Sequence, residues 1–548
     1  MTIELRGVRV LLRIIVVVLF LLAPLLAYRS FSAKDQPLKR VANAGPPASP
    51  SKAQPESRQA STTLAELIDQ AINQSPFANA RWGIHVISST DGQQLYSRNG
   101  DKLFTPASNM KLYTTAVALD LLGADYQWRT SVYAEAHPDA TGTLRGNLIL
   151  YGRGAPDLVS VSGKDNGNSL SELASSLFQR GLRRVTGNVI GDASYFRGEP
   201  VGDGWLWNDL QWYFGAEASA LSINDNEVDV SIMPPTKTGD PPGVRLSDTT
   251  GFVRLVPSIA TVKTGERFKL GIQRGLSNNE VRVWGEFPSG NKGYGAQLAV
   301  YNPALWSARL FIDVLKKQGV TVDGQAESRD WRVPGRERFD PAHNTELAFV
   351  MSRSLLEVTR ATNKKSINLN AELILRTLGR ERGPMLSDST PGRERGDDEA
   401  GTVIIRLWLA RAGIPTQDLA LHDGSGLSRL DLVTPQATAG LLLAISRTGS
   451  GQLFRETLPL SGKDGTLQGR LRTIESRVSA KTGSLTYDNS LSGYILADSG
   501  ETLVFSIMCN DQTAPGSSIR VIDQIAAILA QYPTFRSIKP PDSTHSEQ

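Results

Sequence analysis

A serine hydroxyl is an effective nucleophile only when a base takes its proton, because the free group is almost wholly protonated at neutral pH. Ser-x-x-Lys supplies that base when the segment is helical, since residues three apart share a helix face. A lysine desolvated in such a place can lose its proton and serve as the base. The chain carries this pattern three times, at Ser49/Lys52, Ser108/Lys111 and Ser289/Lys292. Ser-x-Asn recurs as well, including at Ser222/Asn224, Ser277/Asn279 and Ser366/Asn368, and Lys-Thr-Gly begins at Lys237, Lys263 and Lys481. With several copies of each, the surrounding elements must discriminate.

Ser49 lies in a Pro/Ser/Ala-rich stretch unable to bury a core, and Ser289 in the Gly/Asn turn PSGNKGYG. Only Ser108 opens an apolar helix, with Leu112, Ala116, Leu119 and Leu122 as a buried stripe and Gly123 as its stop. Lys237 is bracketed by prolines, while Ser222 and Lys263 both fall in a β-rich middle region. Ser366 sits between two helical stretches, and Lys481 begins a strand with antiparallel partners after it (residues 478–510). On a strand, Lys481 and Thr482 present a cation and a hydroxyl to a carboxylate, and Gly483 leaves room for a substrate backbone.

The elements around these positions predict a helix from residue 62, then a hairpin reversing at Asp91-Gly92. Residues 137–340 read as a β-rich insertion of one or two modules, with one helix at 305–317. Long helices return from Asn344, and a closing helix spans 518–531. The expected organisation is therefore a signal peptide or N-terminal anchor (1–28), a flexible linker (29–61), a catalytic domain (62–136 and 341–535), the insertion (137–340) and a disordered tail (536–548).

The order Ser108, Ser366, Lys481 resembles that of the penicillin-recognising serine peptidases and β-lactamases. Longer runs sharpen the likeness. TPASNMKLYTTAVAL, KKSINLNAELILRTLG, LHDGSGLSR, LPLSGKDGTLQGRL and SAKTGSLTYDNSLSGY resemble the S13 family of D-alanyl-D-alanine carboxypeptidase/endopeptidases, the class C penicillin-binding proteins. The resemblance runs from about residue 62 to 535. It implies an α+β fold, a β-lactamase/transpeptidase-like α-β-α sandwich with its insertion between the first and second motifs. It also implies that Ser108 attacks, Lys111 takes its proton and Ser366, beside Lys111, relays that proton to the leaving amine. Asn368 would hold the substrate's backbone amide, Lys481 and Thr482 would bind the terminal carboxylate, and the N–H groups of Ser108 and Ser484 would form the oxyanion hole. The implied substrates are peptidoglycan stem peptides cut at D-Ala-D-Ala termini, at D,D-cross-links, or both, with β-lactams as inhibitors and no metal or organic cofactor. Ile367 stands where the family often has Asp. A β-lactamase lacks so long an insertion, and an idle cell-wall-binding relative has no need of the complete motif set.

Composition agrees with an ordinary globular protein: 548 residues, 40% hydrophobic, 21% charged and a net charge of +4, with no basic block for nucleic acid. Such a length suggests about three to four domains. One cysteine, Cys509, excludes an intrachain disulfide and reads as a small core residue; five histidines and no His-Glu-x-x-His argue against a metalloenzyme. Arg6, Arg9 and Arg13 before the apolar residues 14–27 read as an export signal, cleaved or retained as an inner-membrane anchor, and hence a periplasmic or cell-envelope address. No feature assigns an oligomeric state. His422-Asp423-Gly-Ser425 reads as a structural turn, since adjacent residues rarely face each other as triad partners must. The aromatic run WLWNDLQWYFG reads as packing rather than a stacking surface.

Overall fold

Strand-forming runs in the C-terminal third, buried on both faces, build the sheet on which the catalytic half of the chain is laid. In the computed structural model, which describes residues 63–159, 169–235, 239–332, 339–383 and 395–532, the strands Val478–Leu485, Asp488–Leu496 and Thr502–Asn510 form a meander. The last of these pairs antiparallel with Arg81–Ser88, which pairs with Gln94–Arg98 across the turn at Gly92 (φ 79°). The order places the Lys-Thr-Gly strand at one edge of this five-stranded sheet. Helices Leu64–Asn73 and Ile519–Ala530 pack on one face around Trp82, Phe505 and Ile525. Helices Met110–Leu122 and Pro435–Ser446 pack on the other around Tyr113, Leu442 and Met508. The result is the expected α-β-α layering of an α+β fold. Cys509 is fully buried in the central strand, as its apolar setting predicts.

The helix after Ser108 is buried on nearly all sides from Met110 to Leu119, so it runs through the domain rather than over it. Lys111 therefore cannot reach water, and Thr114 and Thr115 are buried with it. Glycines let the neighbouring loops approach. A Cβ on Gly426 (φ +80°) would lie 1.8 Å from the carbonyl oxygen of Ala107, and one on Gly483 would lie 2.8 Å from that of Pro106. Gly483 is thus needed first for strand-against-turn packing, beside the bond from Ser490 Oγ to the Pro106 carbonyl (2.8 Å), rather than only for a substrate backbone.

The intervening region departs from its sequence reading in two places. Thr345–Met351, expected to continue a helix, is a strand paired with Arg129–Ala134; the helix starts only at Leu355, behind a capping box made by Ser354 and Glu357. A second helix, Ser169–Gln179, accompanies the expected one, which spans Pro303–Lys317. The reason is topological. Leu148–Tyr151, Val189–Asp192 and Ala326–Arg329 are parallel neighbours, and parallel strands need crossover connections, here supplied with helices. This five-stranded sheet takes strands from residues on both sides of the expected 137–340 boundaries. Three-stranded sheets complete the middle region.

Among the described residues no helix is long and apolar enough to cross a membrane. The expected signal or anchor, linker and tail lie outside the described residues, as do Ser49, Lys52 and Lys237.

Gly426→Ala is expected to lower stability by about 1–3 kcal/mol or more, because backbone must move to admit the methyl group. Urea unfolding monitored by fluorescence checks this, and an unchanged midpoint would contradict the packing.

Candidate active site

The chain reaches Ser108 through a strained corner. Ala107, just before it, has φ 49°, and Ala107–Asn109 form a single 3-10 turn leading into the Lys111 helix. Non-glycine residues in the left-handed region are uncommon and cluster at functional sites. Ser366 is another (φ 61°); it caps the helix Leu355–Lys365 and turns the chain into the helix Asn368–Arg382. Both serines line one cleft of about 830 Å³, together with Asn368, Thr466, Ser484 and Arg429. The wall opposite comes from the middle region, including Asp209, Tyr213, Phe214 and Glu227.

Lys111 Nζ lies 3.0 Å from Ser108 Oγ, 2.6 Å from Asn368 Oδ1 and 2.8 Å from the Ser425 carbonyl oxygen. The latter two can only accept. A neutral amine donates its two protons to them, which leaves its lone pair for the Ser108 hydroxyl. Burial pushes Lys111 down to about 8 from its ordinary value, against the opposing pull of Asp423 and then Glu372. The amine is thus available as a base near neutral pH.

Lys481 Nζ donates to Ser366 Oγ and to the Thr482 carbonyl, both at 2.8 Å. It too is fully buried, and desolvation followed by repulsion from Lys111 holds it well below the usual lysine range. Thr482 Oγ1 donates to Thr466 Oγ1 at 2.8 Å, and Ser484 Oγ donates to Asn489 Oδ1 at 2.9 Å.

One expected contact is rearranged. The residue of the second motif that hydrogen-bonds Lys111 is Asn368, whereas Ser366 is bonded to Lys481. Asn368 also donates from Nδ2 to the Phe214 carbonyl at 2.9 Å, so both its polar atoms are engaged inside the protein. Helix geometry accounts for this. Asn368 is the first residue of its helix and faces inward, while Ser366 sits on the left-handed corner before it.

The rival motif copies stand elsewhere. Ser222 Oγ donates to the Ser219 carbonyl, Lys263 is exposed in the turn after Arg254–Val262, and Ser289 bonds Thr264. His422 contacts Asp203 (3.0 Å) while Ser425 Oγ donates to Asp423, so these three make no nucleophile relay. Asp423 is nevertheless central to its turn: it accepts from the N–H groups of Ser425, Gly426 and Ser428 and from Trp205 Nε1. The aromatic run is only partly packing. Trp205 and Phe214 tie the middle region to the catalytic half, Tyr213 lines the cleft, and Trp207 is 68% exposed. Glu372 carries no motif of its own; its signal is its position four residues after Asn368, on the same helix face.

With this geometry in view, comparison with known proteins is decisive. The model of the D-Ala-D-Ala carboxypeptidase 3 (S13) family matches residues 64–532. The chain belongs to that family. It is 33% identical over 484 residues to a D-alanyl-D-alanine carboxypeptidase of Actinomadura sp., covering 86% of this chain and 85% of that one. It is 27% identical over 417 residues to the D-alanyl-D-alanine carboxypeptidase DacB of Haemophilus influenzae, covering 74% and 80%. The crystal structure of penicillin-binding protein 4 from Haemophilus influenzae shares the fold, with a TM-score of 0.73 at 24% identity over 85% of this chain and 99% of that one. This S13 carboxypeptidase is therefore a hydrolase whose α+β architecture is that of a known penicillin-binding protein.

Two outcomes follow from the geometry. Acylation by a fluorescent penicillin should rise with pH through about 8 as Lys111 becomes neutral, and fall roughly tenfold per unit below that value. Stopped-flow rates between pH 5 and 10 check this; a flat profile would contradict Lys111 as base. Lys481→Ala should abolish labelling while Lys263→Ala leaves it intact, and equal losses would refute the choice among the three Lys-Thr-Gly copies.

Proposed function

We propose that the chain is an exported serine D,D-peptidase that remodels peptidoglycan, with Ser108 as nucleophile and Lys111 as base. The observation that carries this is the placement of Lys111 Nζ between two fixed acceptors and the hydroxyl of Ser108, which lines the open cleft. Ser108 Oγ attacks the carbonyl carbon of the penultimate D-Ala as its proton passes to Lys111. The N–H groups of Ser108 and Ser484 hold the developing oxyanion, a type of site where one donor is worth about 2.7–4 kcal/mol. The C–N bond then breaks, and the leaving amine takes the proton of Ser366.

Lys481, already bonded to Ser366 Oγ, replaces that proton. The proposal thus refines the relay, which reaches Ser366 from Lys481 rather than from Lys111. Water next attacks the acyl-serine, its proton restores Lys481 through Ser366, and Lys111 returns its proton to Ser108. The carboxylate of the terminal D-Ala is held by Thr482 and Lys481, whose ammonium form the incoming anion favours. Asn368 binds the substrate amide by exchanging its bond to the Phe214 carbonyl for one to the substrate. β-Lactams acylate Ser108 in place of the stem peptide and stall there.

Export follows from the arginine-flanked apolar run at residues 14–27 and from a substrate that lies outside the cytoplasm. Both free D-Ala-D-Ala termini and D,D-cross-links are taken as substrates, since each presents the same acyl half to Ser108. The test is incubation with purified muropeptide monomers and cross-linked dimers, followed by chromatographic separation. The expected result is release of D-Ala from the monomers and splitting of the dimers, both lost in Ser108→Ala. Dimers left intact would remove the endopeptidase half of the proposal, and turnover by Ser108→Ala would remove the nucleophile.

A further inference from the structure

The two acceptors that aim Lys111 belong to different segments, yet both trace back to one helix. Asn368 opens the helix Asn368–Arg382 and binds Lys111 Nζ directly. One turn later Glu372, fully buried, accepts at Oε1 from the backbone N–H groups of Gly424 (3.0 Å) and Ser425 (2.8 Å). The carbonyl of that same Ser425 is the second acceptor for Lys111, at 2.8 Å. Three hydrogen bonds therefore join Glu372 to the nucleophile: Ser425 N–H donates to Glu372, Lys111 donates to the Ser425 carbonyl, and Lys111 and Ser108 bond each other.

A buried carboxyl is costly unless well partnered, and here only one oxygen is. Oε2 of Glu372 has no hydrogen-bond partner among the described residues. Burial and then Asp423 push its acidity towards the neutral form, against the bonds from Ser425 and Gly424 and the charge of Arg376, and the carboxylate in turn favours the charged form of Lys111. Lys481 faces Lys111 from the sheet, and Asp431 backs Asp423 from the loop. A residue that merely filled space would be apolar. One that only neutralised charge would not bond two consecutive backbone N–H groups.

We infer that Glu372 is a positioning residue for acylation, pinning the Gly424–Ser425 backbone so that the Ser425 carbonyl keeps the Lys111 amine aimed at Ser108. The inference rests on the proposed role of Lys111 as base. Without the clamp the Ser425 carbonyl can drift, the amine loses one of its two fixed acceptors, and its lone pair is no longer directed at the hydroxyl. Misplacement of a reacting group by about 1 Å can cost on the order of 100-fold in rate.

Two substitutions separate position from charge. Glu372→Gln keeps a carbonyl oxygen at the same reach and removes the charge; Glu372→Asp keeps the charge and withdraws the oxygen by one methylene. Stopped-flow labelling of the full chain with a fluorescent penicillin gives the pre-acylation dissociation constant and the acylation rate constant separately, with thermal unfolding as the control for folding. The expected result is a Gln variant acylating close to the wild-type rate and an Asp variant slowed by on the order of 100-fold, with the dissociation constant unchanged in both. Glu372→Met, which fills the space with no acceptor, repeats the test if the Asp variant does not fold. An Asp or Met variant at the wild-type rate, or a Gln variant as impaired as Asp, would overturn the inference. Lys111→Ala distinguishes the two levels: if it still acylates normally, the role of Lys111 as base has failed; if it is inactive while the Glu372 variants are unaffected, only the clamp has failed.

Discussion

Complete burial of the Lys111 amine is the constraint around which the rest of the molecule is arranged. A charged ammonium taken out of water costs several kcal/mol, so the site either neutralises it or surrounds it with acceptors, and this one does both. Burial requires a helix that passes through the domain interior, which in turn requires a sheet beneath it and helices beside it. Acceptors require a second helix beginning at Asn368 and a glycine-rich turn at 424–426 pressed against the nucleophile corner. Asp423 and Glu372 keep the lysine from being pushed too far from a useful value, while Lys481 pushes the other way. The nucleophile itself needs little more than a place at the start of that helix.

A second buried lysine gives the cleft its other half. Lys481 enters from the edge strand and is joined to Ser366, so the two lysines address different serines. This division suits a reaction with two proton transfers at opposite sides of one carbonyl. It also explains why the strand carrying Lys481 packs so closely against the corner at Pro106–Ala107, with Gly483 and Ser490 at the contact. A shift of that edge would move both lysines relative to the substrate.

Much of this was legible in the sequence because it depends on local signals. The stop at Gly123, the turn at Gly92 and the strand-forming runs after Val478 place three of the elements that matter, and the context of Ser108 separates it from Ser49 and Ser289. What escaped depends on contacts between distant segments. The strand Thr345–Met351 has apolar residues compatible with a helix, and only its pairing with Arg129–Ala134 decides otherwise. The exchange of partners between Ser366 and Asn368 follows from one left-handed residue, which no pattern of apolar positions reveals. The turn at Asp423 was recognisable as structural, but its link to Lys111 runs through a backbone carbonyl, and a carbonyl leaves no trace in residue type. The family likeness supplied the role of each motif, while the helix opened by Ser108, the helices flanking Ser366 and the strand begun by Lys481 distinguish these copies from the others.

Every role assigned in the cleft depends on Ser108 being the acylated residue. Reaction of the intact chain with a penicillin, proteolysis and mass spectrometry of the fragments locate the adduct directly. The account predicts one equivalent of penicilloyl group, carried by the peptide that contains Ser108 and absent from the Ser108→Ala chain. An adduct on a peptide containing Ser222, Ser289 or Ser425, or a correctly folded chain with no adduct at all, would contradict it.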